Sequence, residues 1–131
     1  MNTSELSGPN ELSELFGGGP PALGDCLLFS VHIDERDTSV TLGFETRELP
    51  TRPKAEWAGT VYNTFVFSVL FPRVAGLSLR GILAEEHREV SLTPAPEGRI
   101  AVSVTGPHRS LEFTAAGARV VGTAVRLQGG L

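Results

Sequence analysis

Few side chains in this chain are of the types that hold metals or break bonds: Cys26, His32, His87, His108 and the carboxylates grouped at Asp34-Glu35-Asp37 and Glu85-Glu86. A metal site would need three or more of them to converge. His32 and Asp34 share one face of a strand, but no two lie at the close spacing that makes a ligand set recognisable. A nucleophilic cysteine would need a histidine and an acid beside it, and no elbow-type signature surrounds Cys26. That residue opens an apolar strand, where a small buried hydrophobe is expected. The grouped carboxylates fall in turns, where water keeps them ordinary acids. Gly17-Gly18-Gly19 follows a helix, whereas a phosphate-cradling loop precedes one. The sequence therefore predicts no enzyme, no metal and no cofactor.

Trp57 offers a different chemistry. Arg52, Lys54, Glu56 and Tyr62 surround this sole tryptophan in a segment stiffened by Pro50 and Pro53. Tryptophan, tyrosine and arginine are the types enriched at binding hot spots. The same arrangement would also serve as a cap over the end of a β-sandwich, with the indole turned inward.

The elements that must position these groups read as follows. Leu12, Leu15 and Phe16 recur at helical spacing after capping residues at Ser7 to Asn10, and the glycines at 17–19 stop the helix. From Asp25 the period becomes two. Leu27, Phe29, Val31 and Ile33 alternate with Ser30, His32 and Asp34; after a polar turn, Val40, Leu42 and Phe44 alternate with Thr41, Gly43 and Glu45, predicting a hairpin. Thr64 to Phe71 is apolar on both faces and belongs in the middle of a sheet. Leu77 and Leu79, then Val90 and Leu92, then Ile100, Val102 and Val104, then Leu111, Phe113 and Ala115, and finally Val120 to Leu127 supply further strands, with a loop at residues 94–98. The fold class is thus all-β: an antiparallel β-sandwich or partly open barrel of about eight strands with one short N-terminal helix. One domain is expected over residues 1–131, with 1–24 forming the helix and its Gly/Pro-rich lead-in and 25–127 the β-sheet core.

Charge narrows the partners. The net charge is −4, which argues against a nucleic-acid phosphate backbone as ligand and permits a basic protein. Residues 1–48 hold nine acidic and two basic side chains, a net of −7, leaving +3 for the rest. No apolar run approaches the ~20 residues of a membrane helix. Met1 to Leu12 shows no basic or continuous apolar segment of a secretory signal, so the expected compartment is the cytoplasm, with no membrane partner. Lys54 is the sole lysine among eleven basic residues, a bias typical of a high-GC bacterial genome.

Several of these segments, taken in order, resemble a known family. They are the helix ending in Leu15-Phe16-Gly17, Pro20-Pro21-x-Leu23, the hairpin, Leu49-Pro50-x-x-Pro53-x-x-x-Trp57, Asn63-Thr64 before a β run, and Val74-x-x-Leu77-x-Leu79-x-Gly81. The series, from Leu12 to about Val121, is similar to the immunity protein 50 family of actinobacterial polymorphic toxin systems. The resemblance implies a cytoplasmic protein, expected to be monomeric, that binds a cognate toxin encoded beside it and blocks it stoichiometrically; it supplies no catalytic residues. The residues expected to meet a basic toxin surface are Glu85, Glu86 and Glu89, or the turn holding Asp34, Glu35 and Asp37, with Trp57 and Arg52 as further contacts. The alternative expectation is a small β-sandwich module that binds a carbohydrate or other small ligand.

Overall fold

Thr64–Phe71, the run of strongest β-formers, becomes an interior strand flanked on both sides. The computed structural model describes residues 11–17, 19, 21–81 and 89–128. Within them lie a helix α1 (Glu11–Leu15) and strands β1 (Leu27–Asp34), β2 (Ser39–Thr46), β3 (Thr64–Phe71), β4 (Ala75–Arg80), β5 (Glu89–Ala95), β6 (Arg99–Thr105), β7 (Ser110–Ala115) and β8 (Arg119–Arg126). Two antiparallel four-stranded sheets result, in the orders β1-β2-β3-β8 and β4-β7-β6-β5. Strand makes up 54% of the structure and no barrel closes, so the architecture is the sandwich rather than the barrel.

The core lies between the sheets. Val40, Leu42, Phe44, Phe65, Phe67, Val69 and Phe71 come from the first, and Val90, Leu92, Val102, Val104, Leu111, Phe113 and Ala115 from the second. Each of these sets keeps the alternation that a half-buried strand requires. Phe44 stacks on Phe67 at 5.4 Å, and Phe71 meets Phe113 edge-on at 5.3 Å across the two sheets.

The segment before β3 closes one end. The Trp57 ring lies edge-on to Phe65 at 6.2 Å and to Tyr62 at 6.5 Å, and Phe16 meets the same Phe65 at 5.3 Å. Alone, α1 is too short to be stable, and it survives by docking. Leu12, Leu15 and Phe16 are buried, Arg52 N donates to Leu15 O at 2.9 Å, and Gly17 N donates to Thr51 Oγ1 at 2.7 Å. Helix and tryptophan segment thus form one plug. The capping residues expected at Ser7 to Asn10 lie outside the described residues.

Three local expectations need correction. In β1 the buried face is not Leu27 and Phe29. A bulge between Leu28 and Ser30 shifts the phase, so Leu28 packs inward and Phe29 is 38% exposed, while Val31 and Ile33, in register with the buried Leu42 and Val40, keep the expected face, with Ile33 left 38% exposed on an edge strand. The Phe29 ring instead lies over Gly43, where an added Cβ would come within 3.1 Å of it. Secondly, β5 runs through Pro94 to Ala95; an edge strand tolerates a proline because no neighbour needs its N–H. Lastly, Leu77 and Leu79 alternate as expected but stay exposed, because β4 is also an edge.

Candidate functional site

The turn between β1 and β2 is shaped by its own acid. Asp34 Oδ1 accepts from Arg36 N at 3.1 Å and from Asp37 N at 3.3 Å, with the Arg36 guanidinium 3.8 Å away. This side chain mimics a backbone turn, and its charge is partly spoken for. Glu35 and Asp37 are exposed and make no ion pair among the described residues. Thr38 then takes a left-handed backbone (φ 48°), an unfavourable state for a β-branched residue. Val74 N, donating to Thr38 O at 2.8 Å, helps hold it there.

That bond joins the turn to the place where the chain changes sheets. Pro72 ends β3, Arg73 is also left-handed (φ 51°), and Arg99 Nη2 donates to Arg73 O at 2.6 Å. Gly76 (φ 66°) sits in the bulge that opens β4. Between the turn and β4 runs a groove of about 270 Å³ lined by Ile33, Asp34, Glu35, Ser39, Val74 and Leu77, among others. Ile33 and Leu77 are each 38% exposed, so the groove has apolar walls and an acidic lip. Ser39 lines it at 4% exposure. Strained backbone of this kind concentrates where function holds it. Thr38→Asn, which tolerates φ > 0 better, is expected to raise stability by about 0.5–1 kcal/mol in a thermal melt. A lower melting temperature would mean that the Thr38 Oγ1 bond to Asp37 O outweighs the strain.

The other expected contact residues that are described lie elsewhere. Trp57 is 9% exposed and belongs to the plug, with the Lys54 ammonium 5.5 Å above its ring. Arg52 is exposed beside that plug. Glu89 projects from the outer face of the second sheet, because Val90 and Leu92, at the alternate positions of the same strand, point inward. Glu85 and Glu86 lie outside the described residues, as does His87. Cys26 is buried with its thiol 3.4 Å from Ala22 O, and His32 and His108 are exposed. Among the described residues no three histidine, cysteine or carboxylate side chains stand close enough to hold a metal ion. No helix among them is long and apolar enough to cross a membrane.

Sequence reasoning missed Ile33, Ser39 and Leu77 as groove residues. Ile33 and Leu77 alternate as core residues do, and only the edge positions of β1 and β4 leave them partly exposed.

The model of the family described as immunity protein 50 matches residues 8–126. The chain belongs to that family. No curated protein and no solved structure matches the chain. The immunity protein 50 match begins ahead of α1 and ends on the last residue of β8, so the plug, both sheets and the groove lie inside it.

Proposed function

We propose that this chain is an immunity protein that binds a cognate polymorphic toxin domain and neutralises it by stoichiometric occlusion, without a catalytic step. The observation that carries this reading is the immunity protein 50 match over nearly the whole chain. The charge supports it: a net of −4, with −7 in the first 48 residues, suits a basic partner. The protein works in the cytoplasm of its bacterial host as a monomer that pairs one-to-one with the toxin encoded beside it. The acidic turn at Asp34 to Asp37 is the surface we assign to the toxin. The carbohydrate-binding alternative loses its stacking platform, since the Trp57 ring is engaged by Tyr62 and Phe65.

A tagged pull-down from host lysate, with partners identified by mass, tests the proposal. It is expected to recover one stoichiometric partner that stops growth when expressed alone and is harmless when co-expressed with this chain. The complex should weaken about tenfold between roughly 0.05 and 0.5 M salt, as screened opposite charges do. A partner whose toxicity is unaffected by co-expression would refute the reading.

A further inference from the structure

The edge of β4 differs from the other three sheet edges. Pro94 and Glu89 blunt β5, a bulge and His32 break up β1, and β8 carries a bulge with Arg119 and Arg126. In β4 the bulge falls in the first half, so Ser78, Leu79 and Arg80 pair regularly with β7. All six β4 residues are exposed, Leu77 at 38% and Leu79 at 44%, and β4 joins no second strand among the described residues. Such an edge offers a row of backbone donors and acceptors to one more strand.

Beside this edge lie the groove and its lip. Glu35 lines the groove and Asp37 stands exposed on the same turn, neither ion-paired among the described residues, while Ile33 and Leu77 present apolar surface. Backbone edge, apolar slot and acidic lip together describe a specific occupant.

We infer that the toxin is captured by strand addition: an extended segment of it pairs with the free edge of β4, places an apolar side chain between Ile33 and Leu77, and sets arginine or lysine against Glu35 and Asp37. This inference rests on the immunity reading and adds the mode and chemistry of the contact. Main-chain pairing supplies affinity that is indifferent to sequence, and the slot and lip supply selection for an alternating apolar and basic strand.

The test uses the full chain and the purified, catalytically silenced toxin domain encoded beside its gene. Hydrogen exchange of the amides at 75–80 is expected to slow at least about tenfold in the complex. The double variant E35K/D37K is expected to bind about tenfold more weakly and with a shallower salt dependence. Leu77→Asp is expected to bind about 30-fold more weakly, the loss typical of a hot-spot anchor. Glu48→Lys, exposed just past β2 at the end away from the β1–β2 turn, should stay within about twofold of the parent. Melting curves guard against misfolding of Leu77→Asp, and the E35K/D37K changes sit on an exposed turn that tolerates them. Unchanged exchange at 75–80, or E35K/D37K within twofold in an intact complex, overturns strand addition and leaves the immunity reading standing. Should no complex form with the parent chain, both fall. A homodimer that Leu77→Asp dissolves would give the edge to a second copy of this chain and overturn the inference too.

Discussion

Phe65→Ala is expected to destabilise the fold by about 3–5 kcal/mol, the range for removing a fully buried aromatic side chain. The site is chosen because three rings converge on it: Phe16 at 5.3 Å, Phe67 at 5.7 Å and Trp57 at 6.2 Å. Phe65 has no exposed surface, and its neighbours belong to different parts of the chain, so they cannot collapse together into the space left behind. The loss has two parts, burial of the ring and the edge-on and stacked geometry, each aromatic pair being worth about 0.5–1.5 kcal/mol. For a domain of this size the melting temperature should fall by roughly 12–20 °C. Because the ring joins α1 and the Trp57 segment to β3, tryptophan fluorescence should shift to the red below the main transition as the plug loosens. A fall of less than about 1 kcal/mol would mean that α1 and the tryptophan segment are not seated on β3 as described.

Glu45→Ala is expected to cost about 1–3 kcal/mol through a different mechanism, the loss of charged hydrogen bonds at a nearly buried acid. Glu45 is 8% exposed on the outer side of β2, where its carboxylate accepts from Arg126 Nη2 and, at 3.2 Å, from Gln128 Nε2. Gln128 is in turn held by Asn63, whose Oδ1 accepts from Gln128 N at 2.9 Å and whose Nδ2 donates to Gln128 O at 3.0 Å. Arg126 also lies over the Phe29 ring at 5.4 Å. The network clasps the end of β8 to β2 and β3. The cost stays below that of a fully buried pair because the Arg126 side chain is 45% exposed and can turn to water once its partner is gone. Chemical denaturation of Glu45→Ala, Arg126→Ala and the double variant should give a coupling of about 1 kcal/mol. Additive costs would show that the acid acts through packing alone. Hydrogen exchange should rise first in β8, which among the described residues pairs only with β3.

Much of the fold was legible because side-chain period reports which face of a strand is wet. Phe65, Phe67, Val69 and Phe71, and likewise Leu111, Phe113 and Ala115, could be placed inside from alternation alone. Proline and glycine marked most of the ends, since each restricts the backbone whatever its surroundings. The reading failed at Leu27 and Phe29, where one extra residue in a bulge reverses the faces and leaves no mark in the composition.

What the sequence determined by itself was the local and the periodic: eight β segments, a short helix that needed a partner, an acidic first third, and the ordered motifs of the immunity protein 50 family. What only the tertiary structure decided was adjacency. β3 and β8 pair although some fifty residues separate them, and β4, which follows β3 directly, joins the other sheet at its edge. Nothing in Leu77-Ser78-Leu79 distinguishes an edge from a centre, because the backbone groups that pair strands are the same in every residue. The groove depends on that adjacency, since its walls come from strands on different sheets. The indole of Trp57 was settled the same way: its sequence neighbours suited an exposed contact as well as a cap, and Phe65 and Tyr62, brought against it by the fold, turned it inward.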